Sequence, residues 1–567
     1  MQNEEIAWIF HELADLLELK GEEYFKIRAY RNASRILAGL DEPVKDAWKG
    51  GRLNKIPGIG KNIAAKINEL LTTGNLKKYQ ELLEEFPPGL LEIITLPGLG
   101  PKKAGMLREK LGITSLEELA AAAREKRLRN LPGLGVRTED EILRNIELRQ
   151  SQAGRALLDL ARNIAAELTG YLGLLPGVAR VEAGGSLRRW KETVGDIDLV
   201  VASDDPNTVI DSLAGHYRIS HILEKGYDGA KFQTKCGIAV ELEIVPEEVF
   251  TLALFRNTGS HAHFEKLQGL FEKRENSAAA ALLGRTQGKM GEQDIYAMLD
   301  LQYIPPELRE DRGEVEAALE KRLPDLVKLE AIKGDLHVHS TWSDGVADIE
   351  QLAGRAKAKG YQYMAVTDHS RSLHIARGLS LDKLHEQHEV IRELNKKQED
   401  FQILTGIEVD ILPKGELDCP DEVLKEIDVV VASVHSAFKQ DWETMTARLL
   451  SALENRNVDI IGHPTGRLLN QREGYALDLE RVLEAAAGYG TILEINASPN
   501  RLDLSDVNAR RAKEKGIKLA INTDAHDLKR LDEMPYGVAV GRRAWLEEED
   551  VVNTMPAEKL LKYLRRR

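Results

Sequence analysis

The chain has 567 residues, a length that favours several domains, each large enough for its own hydrophobic core. Its 43% hydrophobic and 30% charged residues are typical of water-soluble globular proteins. No apolar run approaches the roughly 20 residues of a membrane span, and the N-terminus lacks a signal-peptide pattern. We therefore expect a cytoplasmic protein without a membrane partner. The two cysteines are far apart in the sequence and do not support a disulfide framework. The net charge of −14 is only a superficial argument against a nucleic-acid partner, because basic and acidic residues nearly balance over residues 1–150.

Three similar turns occur within the first 150 residues, each with the pattern Pro-Gly-x-Gly followed by a helical pattern. The two glycines of each turn permit a tight hairpin whose backbone N–H groups point outward at the N-terminus of the next helix, where an anion is favoured. One such turn is ordinary, but three in one chain indicate contacts to a phosphate backbone without base reading. The pattern resembles helix-hairpin-helix DNA-binding motifs, and this resemblance allows a monovalent cation at the hairpins. The expected DNA-binding glycines are Gly58, Gly60, Gly98, Gly100, Gly133 and Gly135.

The first turn lies in a segment with a finer likeness. Residues 24–35 and 53–71 resemble the small lyase domain of family X DNA polymerases. The resemblance gives Lys66 the Schiff-base position and gives Lys26 and Tyr30 the phosphate contacts. A lysine of low pKa can attack an aldehyde to form an imine, so the chemistry is reasonable. The alternative, a surface lysine that only contacts phosphate, stays open.

A second pattern, between residues 155 and 250, combines a Gly-Gly-Ser turn with two aspartates about ten residues later. Asp196 and Asp198 alternate on a predicted strand, so their carboxylates share one side, an arrangement that holds two Mg²⁺ or Mn²⁺ ions for nucleotidyl transfer. The turn offers N–H and hydroxyl groups to nucleotide phosphates, and two arginines add charge. The combination resembles the palm of bacterial family X polymerases, which implies dNTP and gapped or primer-template DNA as partners. The expected nucleotide-binding residues are Gly185, Ser186, Arg188 and Arg189.

The sequence departs from that family pattern at the third carboxylate. Glu241 stands where the family has an aspartate, and its extra methylene displaces a catalytic group expected near the primer 3′-hydroxyl. Residues 258–260 keep the family's Thr-Gly-Ser turn, but Arg256 and Asn257 replace the Tyr-Phe pair that packs against the nucleotide sugar. Phe264 replaces a minor-groove asparagine. We therefore expect the fold to persist and templated synthesis to be weakened or lost.

From residue 333 onward, short apolar runs alternate with helical patterns, and a histidine or an acidic residue follows each run. This order predicts a parallel β/α array in which the side chains after the strands meet at the mouth of a barrel. Scattered surface histidines are the ordinary alternative, but so many residues at one topological position favour a metal site. The predicted strands cover residues 363–366, 401–404, 427–432, 458–461, 491–495 and 517–521, and the predicted helices cover 348–359, 382–397 and 478–487.

This segment resembles a PHP (polymerase and histidinol phosphatase) domain, a distorted β/α barrel with a three-metal phosphoesterase site. Mixed imidazole and carboxylate ligands suit Mn, Zn or Fe better than Mg. Such a site activates water and holds phosphate oxygens, so we expect phosphoester hydrolysis. The nine ligands that the resemblance implies are His337, His339, Asp344, His369, Glu408, His435, His463, Asp524 and His526.

The same resemblance divides the ligands among three divalent ions, with Glu408 and Asp524 as bridges. The first ion takes His337, His339, Glu408 and Asp524; the second takes Glu408, His435 and His463; the third takes Asp344, His369 and His526. Arg501, in the loop after a predicted strand, is a candidate phosphate contact together with Asn500 and Asp503. A network that only stabilises this loop is an equal alternative.

The domain order resembles bacterial family X DNA polymerases that carry a PHP domain. This implies a monomeric DNA repair enzyme with gap-filling polymerase and 3′–5′ exonuclease activities. Two alternatives stay open: a DNA tether with a dead polymerase that feeds a nuclease, and a small-molecule phosphatase of the histidinol-phosphate type, against which the DNA-clamping front half counts. The predicted domains are α-helical lyase-like (1–85), helix-hairpin-helix (86–150), α+β nucleotidyltransferase palm (151–255), thumb (256–312), helical linker (313–332) and PHP barrel (333–567).

Overall fold

The computed structural model describes residues 3–564 except 39, 41, 95, 97, 137, 141, 144–145, 147–154, 274–289 and 399. The chain divides into two compact units, Met1–Ala153 and Gly154–Arg567. None of the helices among the described residues has both the length and the apolar character needed to cross a membrane.

The first unit is helical, and the apolar faces of its helices share one core. The N-terminal helix alternates apolar and polar positions at helical spacing, so that Ile6, Phe10, Leu13 and Leu17 are fully buried. Short 3₁₀ turns, Leu53–Lys55 and Leu128–Asn130, precede the first and third hairpins. The helices are Asn3–Leu19, Tyr24–Ala38, Val44–Lys49, Lys61–Thr73, Lys77–Glu85, Pro88–Ile94, Pro101–Leu111 and Leu116–Arg124.

The second unit begins with a mixed sheet of five strands in the order β2-β4-β7-β6-β5, in which only β4 and β7 are parallel. The helix Leu158–Leu172 packs against this sheet, and the short strands β1 and β3 pair beside it. The strands are β1 (Ala156–Leu157), β2 (Val178–Ala183), β3 (Thr193–Val194), β4 (Asp196–Ser203), β5 (Ile219–Lys225), β6 (Gly229–Thr234) and β7 (Ala239–Val245). The other helices here are Gly185–Arg188, Pro206–Ala214 and Phe250–Thr258.

A small helical region follows, with helices His261–Lys273, Glu292–Met298 and Glu314–Leu319. Residues 313–332, predicted as a helical linker, are helical only in part, because the α-helix ends at Leu319, and its first residue is buried. Glu314 accepts a hydrogen bond from His263 Nδ1 at 2.6 Å, and Val315 packs in the core of this region. The rest of the segment joins the barrel, where the backbone N–H of Val327 donates to Leu546 O at 2.8 Å.

Seven parallel strands form the C-terminal barrel, in the order β14-β13-β12-β11-β10-β9-β8. A parallel bridge between Val338 and Ala525 links the two outer strands, so the barrel is nearly closed. The strands are β8 (Gly334–Val338), β9 (Tyr363–Val366), β10 (Gln402–Asp410), β11 (Val429–Ser433), β12 (Ile460–Ile461), β13 (Ile492–Asn496) and β14 (Leu519–Asn522). The helices around it are Ile349–Ala358, Leu381–Asn395, Asp421–Leu424, Trp442–Glu454, Leu479–Tyr489, Asp506–Glu514, Met534–Arg543 and Ala557–Leu564.

Each predicted barrel strand overlaps an observed strand, but β10 is much longer than the predicted 401–404. Its first half pairs with β9 and its second half pairs with β11. Gly406 allows this switch, because a Cβ at that position would lie 2.7 Å from Val366 O. Glu408 therefore lies within the strand, opposite Val431, and not after it.

Barrel and mixed sheet contact each other through a buried arginine. Arg543 Nη1 donates to Arg189 O at 2.7 Å and to Glu310 Oε1 at 3.0 Å, and its Nη2 lies 2.8 Å from Asp506 Oδ2. The ring of Trp190 carries Arg162 on its face, 3.6 Å away, and contacts Tyr536 edge-on. The two regions are therefore held as one body by desolvated charges and aromatic packing.

Replacement of Arg543 by methionine tests this contact. We expect Arg543→Met to lower the free energy of unfolding by roughly 2 kcal/mol, because Glu310 and Asp506 each lose one of two cationic partners and the backbone oxygen of Arg189 loses a donor. The measurement is urea unfolding followed by circular dichroism. The matched control Arg392→Met removes an exposed ion pair with Glu389 and leaves the unfolding midpoint unchanged. Equal midpoints for both variants would contradict the role of Arg543.

Candidate metal centre and nucleotide site

Glu408 lies at the centre of a group of imidazoles inside the barrel mouth and is 1% exposed. Its carboxylate oxygens face five histidines that come from four other strands, because His337 and His339 both belong to β8 and its end. The distances to these oxygens are 3.4 Å from His337 Nε2, 3.6 Å from His339 Nε2, 2.7 Å from His369 Nδ1, 3.2 Å from His435 Nε2 and 3.2 Å from His463 Nε2.

Two further carboxylates complete the group. Asp524 Oδ1 lies 3.1 Å from His339 Nε2 and 3.7 Å from His526 Nδ1. Asp344 Oδ1 lies 3.3 Å from His526 Nε2 and 3.6 Å from His369 Nε2. The structure therefore brings all nine predicted side chains together.

The subgroups differ from the predicted grouping. Ligand atoms within 4.8 Å of one another form three sets in the barrel: His339, Asp344, His369 and His526; His337, His339 and Asp524; and His369, Glu408 and His435. His339 thus joins two sets, and His369 adjoins Glu408 as well as Asp344. Side chains this close can share ions, which is why sequence alone does not separate the sets.

Several residues that the sequence reasoning missed orient these imidazoles. Glu494 Oε1 accepts a hydrogen bond from His337 Nδ1 at 2.8 Å, and its Oε2 accepts from the backbone N–H of His463 at 2.7 Å. Asp410 holds Nδ1 of His435 at 2.9 Å. A signal was present, because Glu494 is an acid between apolar residues of the strand Ile492–Asn496. Partners of this kind fix the ring orientation of metal-binding histidines.

The donor set fits divalent cations. His337 Nε2, His339 Nε2, His369 Nδ1 and Glu408 Oε2 are buried atoms without a hydrogen-bond partner. A buried polar atom of this kind is costly unless another group satisfies it. Because His337 uses its other nitrogen to bond Glu494, its Nε2 is presented to the centre as a ligand atom.

Electrostatics in the cluster favour charged carboxylates. Burial raises the pKa of Glu408 and Asp524, but the surrounding imidazoles outweigh burial and hold both well below their ordinary pKa values. Burial lowers the pKa of His435, whereas Glu408 and Asp410 raise it to about 10. His339 is the exception, because burial and two neighbouring imidazoles lower its pKa to about 3. Anionic carboxylates and a neutral His339 are the forms that bind metal.

Arg501 lies at the edge of this centre, with its Nε 3.6 Å from Asp524 Oδ2. The backbone oxygen of Arg501 accepts a hydrogen bond from Arg467 Nε at 3.0 Å, which fixes the loop. Asp503 is fully buried and accepts from the hydroxyl and backbone N–H of Thr465, so the predicted phosphate contact by Asp503 is replaced by a role in holding the loop. Asn500 accepts from Ser498 Oγ at 2.6 Å.

A second carboxylate cluster lies at the edge of the mixed sheet. Ligand atoms of Asp196, Asp198 and Glu241 are within 4.8 Å of one another, and Asp198 pairs with Glu241 across β4 and β7. Burial, together with the charges of Asp196 and Glu241, raises the pKa of Asp198 to about 7. The turn before it is packed tightly, since a Cβ at Gly185 would lie 1.6 Å from Asp198 Oδ2. Ser186 Oγ is buried without a partner and is free for a ligand.

The cationic side chains around this cluster are already engaged. Arg188 donates to both carboxylate oxygens of Glu292, at 3.0 and 2.7 Å, and to Thr258 Oγ1 at 2.6 Å. Arg189, predicted as a nucleotide contact, is 8% exposed and donates to Glu310 and Thr258 O, so its guanidinium is committed to the protein interior. Lys231 Nζ forms an ion pair with Glu241.

In the first unit, the predicted hairpins have the expected backbone. Gly58, Gly98 and Gly133 have φ values of 83°, 81° and 75°, which favour glycine. Gly60 and Gly100 precede the helices Lys61–Thr73 and Pro101–Leu111 directly, and Gly135 O accepts from Glu139 N at 3.0 Å.

The predicted lyase residues lie in the same unit. Lys66 Nζ bonds Glu69 Oε2 at 2.8 Å, and Lys26 Nζ bonds Glu22 Oε2 at 3.1 Å. Burial raises the pKa of Tyr30, and the charges of Lys66 and Lys26 oppose that rise. The charges of both lysines thus act on the phenol of Tyr30, and the lyase role of Lys66 stays a prediction.

Four family models match the chain. They are a helix-hairpin-helix domain over residues 1–76, a SAM-like helix-hairpin-helix tandem over 90–148, a DNA polymerase beta thumb over 253–310 and a PHP domain over 335–498. Among curated proteins, the DNA polymerase/3′-5′ exonuclease PolX of Bacillus subtilis (strain 168) is 37% identical over 579 residues, with 100% of each chain covered.

Shorter relatives match about two fifths of the chain. A probable phosphatase of Thermoanaerobacter sp. (strain X514) is 35% identical over 246 residues, which cover 41% of this chain and 94% of that protein. A probable phosphatase of Caldanaerobacter subterraneus subsp. tengcongensis is 33% identical over 248 residues, 41% of this chain and 90% of that protein. These relatives therefore consist of little besides the matched segment.

Substitution of Glu494 tests the orientation of the imidazoles. We expect Glu494→Gln to weaken Mn²⁺ binding by about 10- to 100-fold, because an amide removes the charge beside His337 and places a donor against the His463 N–H. Competition with a fluorescent chelator measures the affinity. Glu484→Gln, at a side chain that is 63% exposed, is the control and should bind as the unaltered protein does. Unchanged affinity in Glu494→Gln would rule out this role.

A methyl group at Gly185 tests the geometry of the mixed-sheet site. We expect Gly185→Ala to abolish Mg²⁺-dependent binding of a nucleoside triphosphate, because its Cβ would overlap Asp198 and its φ of 57° is strained for alanine. Fluorescence titration with a labelled triphosphate is the measurement. Gly170→Ala, in a helix with open space around the Cβ, is the matched control. Equal affinity in the two variants would show that this turn does not meet the nucleotide.

Proposed function

This chain belongs to the bacterial family X DNA polymerases with a C-terminal PHP domain, and we propose that its two reactions are divided between the mixed-sheet palm and the barrel. It is a DNA polymerase coupled to a 3′–5′ exonuclease. The helix-hairpin-helix domains and the thumb bind DNA. We infer the ligand sets, the ions and the strength of each reaction.

The barrel is the proposed nuclease, and the convergence of nine ligand side chains on Glu408 carries this proposal. Their mutual distances and the unpartnered buried nitrogens suit three divalent ions such as Mn, Zn or Fe. Bound there, the ions would supply Lewis-acid activation of water and neutralise charge on the phosphodiester. The ligands would be His337, His339, Asp344, His369, Glu408, His435, His463, Asp524 and His526.

Side chains of the barrel would complete the reaction site. Arg501 is placed to pair with a non-bridging phosphate oxygen, because its loop is fixed by Arg467 and its guanidinium already faces Asp524. Glu494 and Asp410 would keep the imidazoles oriented as substrate enters. Preorganised groups of this kind lower the barrier without rearrangement during the reaction.

The palm is the proposed site of gap filling, with Asp196, Asp198 and Glu241 as the carboxylates for Mg²⁺ or Mn²⁺ and with dNTP held by Gly185 and Ser186. We infer that this reaction is slow. Lys231 forms an ion pair with Glu241, one of the three proposed carboxylates. Arg189 is buried and would not contact a nucleotide. A second candidate, in which the front half only tethers DNA for the nuclease, would require these contacts to stop the reaction altogether.

The first unit would grip DNA without reading its sequence. Three hairpins would present backbone N–H groups to phosphates. A monovalent cation could bind at a hairpin, between the protein and a phosphate. Lys66 beside Tyr30 is the proposed lyase nucleophile. We further propose a monomer that works on gapped or primer-template DNA in the cytoplasm. The barrel alone resembles probable phosphatases, but a small-molecule substrate would leave the DNA-binding domains without a role.

Two alanine variants separate the proposed reactions on one substrate. On gapped primer-template DNA with Mn²⁺ and dNTP, His339→Ala should lower primer shortening by at least about 100-fold, because an ion loses a ligand, while primer extension remains. Asp198→Ala should abolish extension and keep shortening. Denaturing gel electrophoresis of labelled primers follows both reactions.

Each variant is the control for the other. Extension that survives Asp198→Ala would contradict the palm assignment. Shortening that survives His339→Ala would contradict the barrel assignment. Shortening without any extension by the unaltered protein would select the tethered nuclease over the dual enzyme.

A further inference from the structure

Two exposed aliphatic side chains stand on loops that carry proposed metal ligands. Val346 is 75% exposed and Ile375 is 93% exposed. Their loops follow β8 and β9, which are neighbours in the barrel. We propose that Val346 and Ile375 form an apolar rim that packs against the base of the 3′-terminal nucleotide of the strand under hydrolysis. This inference rests on the proposed nuclease function of the barrel.

The loop of Val346 is fixed to the metal ligands. The backbone N–H of Val346 donates to His526 O at 2.8 Å, and Asp344 lies two residues earlier. The loop closes on itself where Thr341 N donates to Ala347 O at 3.0 Å. At Gly345 the backbone lies so close that a Cβ would be 2.5 Å from His339 O. The backbone of Val346 therefore has a defined position in a ligand-bearing loop, although its side chain is exposed.

The loop of Ile375 is equally constrained. It leaves from His369 and returns where Leu379 N donates to His369 O at 2.8 Å. Buried Asp418 accepts hydrogen bonds from Ser370 Oγ at 2.7 Å and from Ser372 N at 2.8 Å. Such a loop presents Ile375 without a large loss of conformational entropy when a ligand binds.

The chemistry of these loops favours a nucleotide as the occupant. Single exposed aliphatic residues are common on protein surfaces, but these two stand on loops that carry predicted ligands of a centre that would hold a scissile phosphate. The loop from His369 to Leu379 contains Arg371, His374 and Arg377 and no acidic residue. An apolar face beside cationic groups complements the flat face of a base next to its phosphates. The terminal nucleotide is the part of the substrate that must adjoin the phosphate being attacked.

Removal of the terminal base tests the rim. Two single-stranded oligonucleotides would differ only at the 3′ end, which carries either thymidine or an abasic tetrahydrofuran. The unaltered protein should hydrolyse the base-bearing end with the higher kcat/KM. In the double variant Val346→Ser with Ile375→Ser, we expect the ratio of the two kcat/KM values to fall by at least about fivefold, through KM, because the base loses its apolar contact.

The matched control is Leu174→Ser, an equally exposed aliphatic residue of the palm at 85% exposure, which should keep the ratio of the unaltered protein. An unchanged ratio in the double variant, or equal slowing on both oligonucleotides, would overturn the rim. Absence of hydrolysis of either oligonucleotide by the unaltered protein would instead contradict the proposed nuclease function. A fall in the ratio with preserved Mn²⁺ affinity is the result expected.

Discussion

A fully buried carboxylate surrounded by imidazoles is the constraint on which the barrel depends. Glu408 lies within hydrogen-bonding or ion-pairing distance of histidines from four other strand ends. Several of the facing nitrogens have no hydrogen-bond partner in the protein. Burial of so many polar groups is costly unless cations satisfy them. The parallel strand order, the register of β10 against β11 and the glycine at 406 all serve to place this one side chain.

Around that centre lies a layer of carboxylates outside the predicted ligand set. Glu494 orients His337, and Asp410 orients His435. Asp368 accepts hydrogen bonds from Ser340 and Ser343 and so holds the first ligand loop. The same principle extends to the palm, where Arg543 of the barrel fixes the turn at Arg189. Preorganisation at the barrel mouth and stiffness of the palm–barrel contact thus have a common physical basis in buried, paired charges.

Much of this arrangement could be predicted from the sequence, because the informative patterns are local. Apolar runs that end in histidines predicted the strands and brought the nine ligand residues to one edge, and the resemblance to a family X polymerase with a PHP domain is confirmed. What could not be predicted depends on contacts distant in the chain. The pairing of Arg189 with Glu310 and the burial of Glu314 against His263 have no local signature. Glu494 has only a weak local signature, because a single acid within a strand does not by itself indicate which distant histidine it orients.

The palm and the barrel therefore differ in how available their polar side chains are to bind metal ions and substrate. In the palm, Glu241 and the arginines are paired with protein groups, whereas the barrel presents ligand atoms without hydrogen-bond partners.

The most direct measurement is an anomalous difference map from crystals soaked in Mn²⁺. We predict three peaks at the barrel mouth, one of them within coordinating distance of Glu408. A map without a peak near Glu408 would contradict the account.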